Sequence, residues 1–139
     1  MTRPLSIFIA EDNPGDVALV REALQEHNVA HRLVVASDGA EAKRYIEEIG
    51  KTPGSVCPDL MLLDINLPKA NGYEVLASFR AHPLCQKTPV ILVTFSNQPV
   101  DRERASALGA SRYFCKPSDL DDFLELGAMV RDLVIERGL

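Results

Sequence analysis

Leu60-Met61-Leu62-Leu63 contains no polar residue, and it constrains the fold more than any other stretch of the chain. A run without polar alternation reads as a strand covered on both faces, which places it at the centre of a parallel sheet. The segment 59–68 around it ends the run in Asp64 and then in a helix-breaking proline, so Asp64 stands where the strand leaves the core. In open α/β sheets ligands bind just beyond the carboxyl ends of the strands. An Asp at a strand end is also a common cap or turn former, so this position needs company before it means anything.

The rest of the chain supplies a sheet for that strand. Residues 5–10 read as a first strand that stops abruptly at Glu11 and Asp12. Asn13 is a helix cap and Pro14 a first helical residue, opening a helix with Val17, Val20 and Leu24 on one face and closing at His27 and Asn28. Residues 33–36 read as a second strand, and Ser37-Asp38-Gly39 opens a helix running through Ile49 to Gly50. After a loop over 51–58 and the central strand, the turn 67–72 leads to a helix carrying Tyr73, Leu76 and Phe79. Residues 89–94 make a fourth strand ending in Thr94, followed by a short helix from Pro99 or Val100 to Leu108. Residues 113–115 make a fifth strand, and Ser118 caps a last helix reaching Arg137. Five strands alternating with five helices predict a doubly wound α/β domain over 1–139, with no output domain attached.

Whole-chain numbers exclude several classes. At 139 residues, 46% hydrophobic and 25% charged, the chain is one globular domain able to bury a core without staples. Cys57, Cys85 and Cys115 are odd in number and widely spaced, and His27, His31 and His82 make no zinc-ligand spacing, so reduced thiols are expected. No apolar run approaches a membrane span and the N-terminus lacks the order of a signal peptide, which predicts a cytoplasmic protein without membrane contact. A net charge of −5 without a basic stripe makes nucleic acid a poor partner.

Collected at one sheet edge, the strand ends define a chemistry. The first strand delivers Glu11 and Asp12, the third Asp64, the fourth Thr94 and the fifth Lys116. Clustered carboxylates repel unless a cation sits among them, and an all-oxygen site with few protein ligands suits Mg²⁺, with Mn²⁺ as a substitute. Each residue has an ordinary reading as a helix-terminal acid, a β-former or a surface charge. Their coincidence at one edge favours a site.

These residues resemble the receiver domains of two-component response regulators. Glu11-Asp12, Asp64 with Pro68 and Gly72 behind it, Val93-Thr94, Gly109-Ala110, Tyr113 and Lys116-Pro117 match that family's pattern in order and spacing over essentially the whole chain. Within the family, Glu11-Asp12-Asn13-Pro14-Gly15-Asp16 and the Asp/Leu-rich final helix are similar to stand-alone regulators paired with bacterial and cyanobacterial phytochrome histidine kinases. The resemblance implies a flavodoxin-like sheet of order 2-1-3-4-5 and a signalling switch rather than a turnover enzyme. Asp64 would accept a phosphoryl group from a phosphohistidine of a sensor histidine kinase. Mg²⁺ would be held by Asp12, Asp64 and the backbone carbonyl of Asn66, with Glu11 acting through water and Lys116 neutralising a phosphoryl oxygen. Thr94 and Tyr113 would move together as the switch, reshaping the face of helix four, strand five and helix five. Lys116-Pro117 would be joined by a cis peptide.

Phe95 departs from the family's small residue after the switch threonine, and its ring is expected to crowd the pocket entry, anchor a partner or fold onto the surface. Two rivals stand beside the switch. A phosphatase of the haloacid dehalogenase type would need a second Asp where the chain has Asn66, and a non-phosphorylated binding module would not need the full acid, hydroxyl and lysine set. Finally, on the last helix Leu120, Phe123, Leu124, Val130 and Val134 are assigned to the core. This leaves Leu126, Met129 and Leu133 as a second stripe predicted to form a homodimer interface.

Overall fold

Strands and helices alternate as β1 (Leu5–Ala10), α1 (Pro14–Glu26), β2 (His31–Ala36), α2 (Gly39–Glu48), β3 (Leu60–Leu63), α3 (Gly72–Ala81), β4 (Val90–Thr94), α4 (Pro99–Ala107), β5 (Arg112–Cys115) and α5 (Leu120–Arg137). The structure is a computed structural model and describes residues 3–139. The strands pair in parallel in the order β2-β1-β3-β4-β5, which places β3 in the middle, and all four of its residues are buried as the apolar run requires. Side chains alternate between two cores along β1. Ile7 and Ile9 meet Val20, Leu24, Phe123 and Val130 from α1 and α5, whereas Phe8 and Ala10 meet Ile46, Leu76 and Phe79 from α2 and α3. The carboxyl ends of β1, β3, β4 and β5 consequently open on one edge.

Local chemistry starts the helices. Asn13 caps α1, its Oδ1 accepting the N–H groups of Gly15 at 2.8 Å and Asp16 at 3.3 Å, with Pro14 in the first turn. The cap of α5 is Asp119, one residue beyond the expected Ser118. Its carboxylate accepts the N–H groups of Asp121 and Asp122 and adds negative charge at the helix N-terminus. β2 begins at His31, earlier than expected, because its exposed Arg32 and Val34 mask the apolar pattern of an edge strand.

Three expectations are corrected. First, Cys57 and Cys85 form a disulfide, and Cys115 alone is a free thiol. Cys57 precedes β3 and Cys85 precedes β4, so the β3-α3-β4 crossover returns the chain to the same amino-terminal edge and brings together cysteines 28 positions apart. His82 lies beside them with both ring nitrogens engaged, one with the Ile49 carbonyl at 3.0 Å and one with the Leu84 N–H at 3.1 Å. Second, the Lys116–Pro117 bond is trans: the fifth strand's ladder continues through Lys116, whose N–H donates to the Thr94 carbonyl at 2.7 Å and sets the lysine without a cis bond.

Third, α5 presents a different face from the one inferred. Phe123, Leu126, Gly127, Val130 and Leu133 point inward, and Leu126 and Leu133 are 0% and 1% exposed. The buried stripe is turned by about 60° around the helix axis from the inferred one, so Leu120 is half exposed. Gly127 explains the roll. A Cβ at this position would lie 2.0 Å from the Ala23 carbonyl oxygen, so α5 and α1 meet at backbone contact here and the residues flanking the glycine are drawn into the core. Met129 is partly buried against the same core. The strip of Leu126, Met129 and Leu133 is therefore core packing and not a free surface for a second copy. Among the described residues no helix is long and apolar enough to cross a membrane.

Candidate functional site

Ladder hydrogen bonds that run one residue past the strands fix the site. The Asp64 N–H donates to the Ala10 carbonyl at 3.0 Å, the Glu11 N–H to the Ala36 carbonyl at 3.0 Å, and the Lys116 N–H to the Thr94 carbonyl. Glu11, Asp64 and Lys116 thus inherit the rigidity of the sheet. Behind Asp64 the chain turns into α3 at Gly72, where a Cβ would lie 2.3 Å from the Asp64 carbonyl oxygen, so only a glycine lets α3 start flush against the end of β3. The Asp64 carboxylate is oriented from two sides: Oδ1 accepts the Asn66 N–H at 3.0 Å and Oδ2 accepts Lys116 Nζ at 3.0 Å.

Lys116 is the electrostatic hub. Its ammonium is almost wholly buried and also donates to Glu11 Oε1 at 2.5 Å and to Asp16 Oδ2 at 2.8 Å. Burial alone would lower its pKa, but the hydrogen bonds to Asp16, Glu11 and Asp64 outweigh that and hold it above the ordinary lysine value. Glu11 is also shifted upward, which for a carboxyl disfavours the charged form. Burial, with the nearby Asp64 charge, pushes it up to about 7 against the pull of Lys116 and of the Asn13 N–H. One ammonium shared by three carboxylates, with Asp12 alongside, leaves an excess of negative charge. Oxygens of Glu11, Asp12 and Asp64 lie within 4.8 Å of one another, a hard-oxygen set that fits a small dication keeping much of its water. Asn66 and Asp12 line the same cavity, of about 570 Å³.

Thr94 is fully buried at the end of β4, its Oγ1 accepting the Ser96 N–H at 3.5 Å. Tyr113 is half-buried on β5, with its hydroxyl donating to the Ser96 carbonyl at 2.8 Å and Arg102 stacked 4.5 Å from its ring centroid. Phe95 is 63% exposed, and its ring centroid lies 4.9 Å from Lys116 Nζ.

Sequence reasoning missed two features. Asp16 reaches Lys116 from the first turn of α1; an acid in that turn reads equally well as a helix-terminal charge. Asp101, on the first turn of α4, accepts hydrogen bonds from the Ser96 and Tyr73 hydroxyls, tying the loop after Thr94 to α3. Those two bonds hold the Asp101 carboxyl below the usual range, while burial and Asp101 raise the Tyr73 phenol. No periodicity signals such a bridge, because its three members come from separate segments.

Comparison with known proteins completes the site's context. Residues 7–127 match the family described as the response regulator receiver domain. The chain is 33% identical over 123 residues to response regulator Rcp1 of Synechocystis sp., covering 88% of this chain and 84% of the relative. Among solved structures, the phosphorylated cyanobacterial phytochrome response regulator RcpA superposes with a TM-score of 0.83 at 33% identity over 94% of each chain. The Mn²⁺-bound form of Rcp1 superposes with a TM-score of 0.81 at 32% identity over 93% of each chain.

Proposed function

Because this chain belongs to the response regulator receiver domain family, we infer that Asp64 is a phosphoacceptor and that the domain signals by the change this modification causes. The observation that carries the reading is Asp64 itself: a rigid, oriented carboxylate 3.0 Å from the buried Lys116 ammonium and grouped with Glu11 and Asp12. In the transfer, an Asp64 oxygen attacks the phosphorus of a phosphohistidine. The new P–O bond forms as the P–N bond breaks, and the electron pair returns to the imidazole nitrogen, which takes a proton from solvent. Asp12, Asp64 and the Asn66 carbonyl would hold Mg²⁺ or Mn²⁺, with Glu11 on its water, and the ion when bound draws the phosphoryl oxygens together and offsets their charge. The Mn²⁺-bound form of Rcp1 supports such a site. Lys116 meets the remaining negative charge, and the Asn66 N–H keeps the nucleophile oriented.

The partner is a sensor histidine kinase, and the likeness to Rcp1 and to the phytochrome response regulator RcpA supports one of the phytochrome type. Thr94 donates its hydroxyl to the new phosphoryl group and Tyr113 follows it inward, so the Ser96 carbonyl loses its bond from Tyr113 and the α4-β5-α5 face changes shape.

Incubation with acetyl phosphate and Mg²⁺ tests the reading. One added phosphoryl group, labile to hydroxylamine and absent from Asp64→Asn, is the expected result. A parent protein that takes up no phosphoryl group would instead be a binding module, and rapid turnover of unrelated phosphomonoesters would make it a phosphatase.

A further inference from the structure

Asp16 occupies the third helical position of α1, where an acid commonly turns back to the N–H of the capping residue. Here that N–H, on Asn13, is already taken by Glu11 Oε2 at 3.2 Å, and the Asp16 N–H is satisfied by Asn13 Oδ1. The Asp16 carboxylate is therefore not needed for the cap. It points to Lys116 instead: its side chain is 13% exposed and Oδ2 stands 2.8 Å from Lys116 Nζ.

An ammonium has three donors, and in this structure all three are spent on Glu11, Asp16 and Asp64. The three acceptors differ in what the chemistry asks of them. Asp64 becomes an acyl phosphate, and Glu11 is grouped with Asp12 and Asp64 around the candidate cation position. Only Asp16 has no second task. Resting on the phosphoacceptor reading above, we propose that Asp16 is a positioning residue: it is the fixed anchor that keeps the Lys116 ammonium aimed at the pocket while its other two acceptors change partners. The Phe95 ring also lies 4.9 Å from the ammonium.

The test compares the parent, Asp16→Asn and Asp16→Glu, each labelled with acetyl phosphate and Mg²⁺, with Mg²⁺ affinity measured by calorimetry and folding by thermal melting. Asp16→Asn keeps the shape but not the charge. It should phosphorylate up to about a hundredfold more slowly at saturating donor, the scale of a reacting group displaced by a remote change, with Mg²⁺ affinity and melting temperature retained. Asp16→Glu, which restores the carboxylate, should recover most of the rate. An Asp16→Asn protein that labels at the parent's rate overturns the proposal and leaves the phosphoacceptor reading intact. A fall in Mg²⁺ affinity matching the fall in rate, or no recovery in Asp16→Glu, also overturns it. A parent that does not label removes both readings together.

Discussion

Asp59 shows how a single carboxylate can matter outside the site. It closes a bidentate pair with Arg3, at 2.8 and 2.9 Å, and accepts the Ser6 N–H at 2.9 Å, so it clips the start of β1 to the start of β3. The Arg3 hydrogen bonds, with the Ser6 N–H, hold its carboxyl below the ordinary value of 3.8. A depressed folded-state pKa means that the unfolded chain binds the proton more readily. The stabilisation is therefore complete above the unfolded value and is lost as pH falls through the folded one. Urea midpoints of the parent and Asp59→Asn should differ at pH 7 and converge towards pH 3. At this scale the sequence disclosed residues whose position follows from the strand pattern: Glu11, Asp12, Asp64, Thr94 and Lys116 all stand at strand ends. Asp16 was hidden because its role depends on Glu11 occupying the Asn13 N–H, a contact that no spacing encodes.

Among the elements, α5 ends at Arg137 as expected but starts one residue later than the Ser118 cap implied, and of the stripe assigned to the core only Phe123 and Val130 are fully buried. Helical periodicity gives two adjacent apolar stripes on this helix, and choosing between them required knowing that Gly127 brings α1 to backbone contact. Leu126 lies next to that contact with no exposed surface, so Leu126→Ala should lower unfolding free energy by about 3 kcal/mol, read from urea denaturation. Leu126→Glu should fail to fold rather than yield a dispersed monomer, because its carboxylate would be buried without a partner. The strands were more legible than the helix faces. Being buried on both sides, β3 and β4 announce themselves by composition alone, whereas a helix touching two neighbours needs the tertiary packing to orient it.

Across the whole molecule, sheet topology explains what was visible and what was not. A parallel sheet brings every strand's carboxyl end to one edge, so the site could be assembled from strand order. The same rule gathers the amino-terminal loops at the opposite edge, but loop lengths there decide which cysteines meet, and the Cys57–Cys85 pair escaped notice. Closing a loop of this length removes denatured-state entropy worth about 3–4 kcal/mol in the chain-entropy model. Reduction with a phosphine should lower the urea midpoint accordingly while leaving the acetyl phosphate labelling rate unchanged. An altered rate would show that the two ends of the sheet communicate. The clasp and the acid pocket lie beyond opposite ends of β3, with Pro58, Asp59 and the four strand residues between Cys57 and Asp64. The sheet thus carries a covalent clasp at one edge and, on the reading proposed above, a modifiable carboxylate at the other, so the disulfide can be opened without touching any residue of the acid pocket.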